Sequence, residues 1–366
     1  MYRYLILCLL LTSCKDVKNK FNKPFYSNIT IDFSNTNIPD DSVIYLEKYD
    51  LKGQSIKIDS FRKSGNTFQI IRKFSEPFQA ILTKKSNKAY SDILSPMFIV
   101  TNDAISIKLD APKIVVSGGE NEFYEKNRSY HDIPHNLNRH LIEELLNKNG
   151  TIAKSDSQYE LWSSYENHIY KWVSENSKKY YTIIKLYDSR FFLSDVMLKK
   201  CLSELKNNFE KTKTYNLLIN YLLKKESIRK GRVFPNFPVL DINGNAVTYL
   251  NIFEPNKEIY IIDFWASWCG GCRIQARKLK LNYSLLDTTK IQLISISIDR
   301  NAEDWKKAYE KENYPWKSYM LNKNLDKGSL ESTINYIPAY FVLDRNKKIT
   351  GRYFSIDSIS SLKTSK

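Results

Sequence analysis

Cysteine and histidine are scarce in this sequence, and after Cys272 there is neither. Cys269 and Cys272 have the spacing of half a zinc ribbon, but tetrahedral zinc needs two more cysteine or histidine ligands. None follows, so the ribbon is excluded. The four histidines, His131, His135, His140 and His168, all fall between residues 120 and 230. The first two have a spacing that suits a metal on a helix, but Pro134 between them marks a boundary instead. No metal site is expected. Apart from a short leader, no run approaches the eighteen apolar residues of a membrane helix. Blocks of like charge are missing too. Lys and Arg number 56 against 40 Asp and Glu, a net charge of +16, yet lysine is spread along the whole chain. That distribution fits a solvated surface near anionic lipid better than a nucleic-acid site, and no nucleic-acid partner is expected.

What is present begins with an export signal. Arg3 supplies positive charge and residues 5–11 form an apolar core too short to span a bilayer. Leu11, Thr12, Ser13 and Cys14 resemble the bacterial lipobox, which implies a leader over 1–13 and a lipid on Cys14. Cys8 would leave with the leader. Residues 14–25, rich in lysine, then form a lipidated tether to a bilayer.

Residues 26–119 alternate in period two over short stretches: 29–33, 43–46, 56–59, 68–71, 78–82, 97–100, 105–109 and 113–116. Regularly spaced short strands of this kind predict an all-β, sandwich-like domain. It carries no catalytic cluster, so interaction or spacing is its expected role. From 120 to 230 the period becomes helical. Trp162, Tyr165, Ile169, Trp172 and Val173 fall on one face, and so do Leu198, Cys201, Leu202, Leu205 and Phe209. Such stripes are core, and Cys201 within one is a buried inert thiol rather than a redox centre. Residues 224–230 end at Gly231 as a helix exit and linker.

The stretch that carries chemistry runs from Ile261 to Arg273. Residues 260–264 form a buried strand, since they are nearly all apolar and β-favouring. Cys269 and Cys272, three apart, stand about one helical turn from each other, and on that geometry their sulfurs can meet in a disulfide. The first sulfur lies at a helix N-terminus, where unpaired N–H groups and the macrodipole favour an anion. There a thiol pKa falls from about 8.5 toward roughly 3.5–7.5. An inert bridge across so short a loop would constrain the unfolded chain little.

This stretch resembles thioredoxin, and more closely the membrane-tethered TlpA-like or ResA-like thiol–disulfide oxidoreductases. The family pattern of acid, Phe, Trp, Ala, any, Trp, Cys, any, any, Cys stands at 263–272. Residues 234–237 and 241–244 resemble the family's first strands, 294–299 its next parallel strand, and 337–344 the strand that opens on its cis-proline, here Pro338. The likeness covers 231–366 and predicts an α/β thioredoxin-like domain, with a second helix near 303–312 and a closing strand pair near 340–343 and 349–354. Ahead of it, residues 58–60 and 117–119 resemble the all-β domain that precedes thioredoxin in many envelope lipoproteins. Arg277 stands where a proline commonly kinks the active-site helix, Ala339 where threonine usually follows the cis-proline, and Gly271 where proline is found in the redox pair.

The resemblance implies disulfide exchange with protein thiols and disulfides of a bacterial cell envelope, on its periplasmic side, without a cofactor. Cys269 would attack and Cys272 resolve, with Asp263 assisting proton transfer; its plainer reading is a polar residue at a strand end. Trp268, Ile337 and Pro338 would meet the substrate. Relatives of this kind mostly act as reductants recharged by a membrane electron donor. The competing readings are a binding or scaffolding lipoprotein with residual redox activity, a disulfide oxidant or isomerase, and a thiol peroxidase. The last would need a cysteine in a proline- and threonine-rich loop with an activating arginine.

Overall fold

The computed structural model describes residues 24–49, 55–85, 92–110, 113–128, 157–326, 334 and 337–358. The leader with Cys8, the lipobox cysteine Cys14, and His131, His135 and His140 lie outside the described residues. Among those described, no helix is long and apolar enough to cross a membrane. The chain divides into two compact units, one of residues 1–133 with 166–217 and one of residues 134–165 with 218–366.

Among the described residues the first unit holds nine strands: β1 (Phe25–Asp32), β2 (Val43–Tyr49), β3 (Ser55–Arg62), β4 (Thr67–Phe74), β5 (Phe78–Lys84), β6 (Asp92–Ile93), β7 (Phe98–Val100), β8 (Ala104–Asp110) and β9 (Lys113–Ser117). They form one sheet in the order β4-β1-β8-β9 and another in the order β3-β2-β5-β6, with β7 also paired to β5. Strict alternation explains the layering. On β8, Ile105, Ile107 and Leu109 are buried while Ala104, Ser106 and Lys108 are exposed. They join Ile29, Ile31, Ile44, Leu46, Leu82 and Phe98 in a single apolar core. Gly118 follows β9 with φ +88°, and a Cβ there would meet the Ala104 carbonyl oxygen at 2.2 Å, so this position requires glycine.

Helical periodicity then takes over. The helices are α1 (Asn121–Asn127), α2 (Ser157–Glu175), α3 (Tyr180–Ser189), α4 (Asp195–Phe209) and α5 (Lys213–Ser227). The expected stripe on α4 is its buried face, including Cys201. Burial pushes the Cys201 thiol up to about 12, which keeps it protonated and unreactive near neutral pH. The Glu120 carboxylate accepts the N–H groups of Tyr180 at 2.9 Å and Tyr181 at 3.1 Å, which caps α3 from sixty residues away.

The second unit is built on a seven-stranded sheet in the order β11-β10-β14-β13-β12-β15-β16. Its strands are β10 (Val239–Leu240), β11 (Ala246–Val247), β12 (Ile259–Trp265), β13 (Ile291–Ser297), β14 (Lys317–Leu321), β15 (Ala339–Asp344) and β16 (Ile349–Tyr353). β12, β13 and β14 are parallel, and β15 runs antiparallel to β12. β12 is buried on both faces. Tyr260, Ile262 and Phe264 enter one core with Phe234, Phe237, Tyr249 and Phe341. Ile261 and Trp265 enter the other with Cys272, Trp305, Tyr314, Trp316 and Tyr340. Helices α6 (Gly270–Leu281) and α7 (Ala302–Glu312) follow β12 and β13.

Two local expectations are corrected. Residues 234–237 are not a strand: Pro235 and Pro238 withhold the N–H groups a ladder needs, and Phe234 and Phe237 instead anchor irregular backbone in the core. Residues 241–244 are the turn of the β10–β11 hairpin, where Asp241 Oδ1 accepts the N–H groups of Asn243 and Asn245.

Candidate active site

The β12 strand delivers the chain to a short turn, and Cys269 is the N-cap of α6, with its sulfur accepting the Cys272 N–H at 3.2 Å. Cys269 and Cys272 are joined by a disulfide, with Cα atoms 5.3 Å apart. The two cysteines are unequal: Cys269 is half-buried, whereas Cys272 is 1% exposed and packed into the core beneath the helix. A Cβ at Gly270 or Gly271 would meet nothing within 4 Å, so the pair between the sulfurs is glycine without steric need.

Asp263 lies on the face of β12 that also carries Trp265, and is 2% exposed. Its Oδ2 accepts the Ser295 hydroxyl at 2.9 Å, and Ser295 in turn accepts the Trp316 indole N–H at 2.7 Å. Burial outweighs that hydrogen bond and pushes the Asp263 carboxyl up to about 7. Asp263 Oδ1 has no partner among the described residues, and neither do the buried Trp265 N–H and the Tyr314 and Tyr340 hydroxyls. Tyr340 faces Asp263 directly across the β12–β15 pair. Burial raises the pKa of both tyrosines, so they remain neutral donors around a carboxyl that titrates near neutral pH.

On the far side of the disulfide, the Ile337–Pro338 peptide bond is cis and Pro338 is buried. The Ile337 carbonyl oxygen lies 3.9 Å from Cys269 Sγ. A disulfide sulfur has no proton to donate, so this is a contact in the oxidised protein; a Cys269 thiol could donate across it. Trp268, next to Cys269 in the chain, lies open to solvent, 68% exposed.

Three supports were not foreseen in the sequence. Asp299 is buried and clamps the turn before the cysteines, accepting the Ser267 N–H and hydroxyl at 2.8 Å each and the Ser297 hydroxyl at 2.6 Å. Glu312, at the end of α7, holds Arg273 and Arg277 of α6 at 2.6 Å each, and its backbone oxygen accepts Lys280 Nζ at 2.9 Å. Those two guanidinium groups hold the Glu312 carboxyl down at about 2. Gln275 ties the middle of α6 to the C-terminal segment through Phe354 O and Ile356 N. Only the first left a signal: serines at 295 and 297 interrupt an isoleucine run at period two, all on the face that meets Asp263.

Residues 256–349 match a family model described as thioredoxin-like. The chain is 30% identical to thioredoxin 2 of Plasmodium berghei over 83 residues, 22% of this chain and 49% of that protein, so it spans about half the length of the curated relative it matches. Among solved structures it is similar to the thioredoxin domain of a thiol-disulfide oxidoreductase from Bacteroides vulgatus, at 26% identity over 38% of this chain and all of that one, TM-score 0.33. A thiol:disulfide interchange protein from Bacteroides sp. matches at 28% identity over 37% of this chain and 88% of that one, TM-score 0.33. The C-terminal part of the chain is an α/β domain of the thioredoxin superfamily, behind an all-β region and a helical one, with a closely spaced cysteine pair at its helix N-terminus.

Proposed function

We propose that the protein is a thiol–disulfide oxidoreductase that exchanges disulfides with proteins of a bacterial cell envelope, acting as a reductant. The observation that carries this is the unequal Cys269–Cys272 disulfide: one cysteine half-buried on a helix N-cap, the other fully buried in the core. In the working direction the pair starts as a dithiol. The Cys269 thiolate, favoured by the helix N-terminus, attacks one sulfur of a substrate disulfide. The substrate S–S bond breaks, and the first substrate thiolate leaves and takes a proton. Asp263 accepts the proton of Cys272, which then attacks Cys269 Sγ. The mixed disulfide breaks, the second substrate thiolate leaves, and the protein holds the Cys269–Cys272 bond. Two electrons pass to the substrate, and a membrane electron donor restores the dithiol. An extended substrate segment would lie against Ile337 and Pro338, a reading supported by the Ile337 carbonyl beside Cys269.

Direction, TlpA-like or ResA-like membership and location rest on the resemblance and on the lipobox reading of Cys14. Cys272→Ser should accumulate mixed disulfides through Cys269, identified by mass spectrometry of the linked peptides, while Cys269→Ser should yield none. The opposite pattern would reverse the roles, and an absence of mixed disulfides in both would remove the exchange reading. Mass spectrometry of the mature N-terminus should find a lipid on Cys14; a terminus elsewhere or an unmodified Cys14 would remove the anchor.

A further inference from the structure

Helix α6 buries Cys272, Ala276 and Leu279 and turns its other side to solvent. On a helix of 3.6 residues per turn, Gly270, Ile274, Lys278 and Leu281 share that outer side. Ile274 is 59% exposed and Leu281 82%, with Trp268 at 68% just before the helix and Leu285 at 65% just after it. A single exposed leucine is ordinary on a protein surface. Four large exposed apolar side chains on or just beside one helix that begins at a half-buried cysteine are more than that ordinary scatter. The helix is also rich in positive charge. Residues 264–286 contain Arg273, Arg277, Lys278 and Lys280 and no acidic residue. Two acids reach in from elsewhere against these four cations and leave a positive balance: the buried Glu312 is shared by Arg273 and Arg277 and its backbone oxygen accepts Lys280 Nζ, and the exposed Asp357 stands 3.6 Å from Lys278.

We propose that this outer side of α6 docks an acidic segment of the protein whose disulfide is exchanged, with apolar side chains of that segment over Ile274 and Leu281 and its carboxylates beside Arg277 and Lys278. The proposal deepens the exchange reading and rests on it. The ridge lies on the same rigid element as the reactive pair, about 16 Å long at 1.5 Å per residue. Docking there would bring the substrate disulfide to Cys269 in one orientation. Charge complementarity chooses the occupant, because a basic rim accelerates encounter with an acidic partner and repels a basic one.

The test uses the full-length protein, kept reduced by dithiothreitol with the uncatalysed rate subtracted, and two synthetic peptides, each with one intramolecular disulfide and identical except for flanks of Leu with Glu or Leu with Lys. Hydroxyethyl disulfide serves as a small neutral substrate. At low ionic strength kcat/KM for the acidic peptide should exceed that for the basic one by about tenfold, and the ratio should fall toward unity at high salt. Ile274→Ser with Leu281→Ser should lose most of the acidic-peptide rate, and Lys278→Glu should invert the preference. Turnover of hydroxyethyl disulfide should stay unchanged in all of these variants. Equal kcat/KM for the two peptides, or a preference that survives the substitutions, would overturn the docking surface while leaving the exchange chemistry intact. No turnover of hydroxyethyl disulfide by the unaltered protein would overturn the exchange reading itself, and the docking surface with it. Binding to phosphatidylglycerol vesicles that the same substitutions abolish, without any peptide preference, would assign the ridge to a membrane and overturn the proposal.

Discussion

At the scale of one residue, Asp263 concentrates the account. The motif makes it visible in the sequence, because an acid in the middle of an apolar strand breaks the pattern. Its surroundings were not visible: Ser295, Tyr314, Trp316 and Tyr340 come from three other parts of the chain, and only the sheet register brings them together. The consequence is a pH dependence with a definite sign. The Asp263 carboxyl titrates near 7 in the folded protein against an ordinary value of 3.8. Between those values the native state keeps a proton that the unfolded chain releases, so stability falls as pH rises through that window and the full cost is present above it. Asp263→Asn removes the ionisation. Its effect on unfolding free energy in urea should be more favourable at pH 8 than at pH 4 by roughly 2–4 kcal/mol. An equal effect at both would mean that Asp263 ionises freely in the native state. The variant should also slow the resolving attack of Cys272, which loses its proton acceptor.

At the scale of the element, α6 is the part that has to stay fixed while its bonds change. Its start was legible, since a cysteine pair three apart after an apolar strand places the helix N-terminus, and α6 does begin at Gly270. How it is held was not legible. Arg277 stands in the sequence as a departure from a common proline, and nothing in its spacing points to Glu312 on another helix. The same blindness hid β14, whose neighbours in the sheet are set by crossovers rather than by adjacent sequence. The ion pairs lead to an expectation. Glu312→Gln leaves Arg273 and Arg277, four apart on one helix, without their shared counter-ion, and should cost about 1–3 kcal/mol, discounted for the exposure of Arg277. The Glu312 carboxyl is depressed to about 2 from 4.5. Its stabilisation is therefore complete above the unfolded value and lost as pH falls through the folded one, so the difference between the variant and the unaltered protein should vanish in strong acid. Urea unfolding at neutral pH and at pH 2 measures both; a difference that persists undiminished at low pH would assign it to packing.

At the scale of the whole molecule, the three-region layout was readable because each region repeats its apolar residues with its own period: two, then 3.6, then strand and helix in alternation. The partition of the helical stretch between two compact units was not readable, because it depends on contacts through space that periodicity does not encode. The boundaries at 119 and 230 accordingly stay proposals about domains. The proposal makes the Cys269–Cys272 pair a redox couple rather than a structural bridge, and one measurement addresses that directly. Titration of the Cys269–Cys272 pair of the full-length protein against glutathione or dithiothreitol buffers, read by thiol alkylation and mass, should give a reversible two-electron couple near −270 mV, the range of a reductant. A pair that stays oxidised well below about −300 mV would be a structural bridge, and one near −120 mV a strong oxidant; either result would contradict the account.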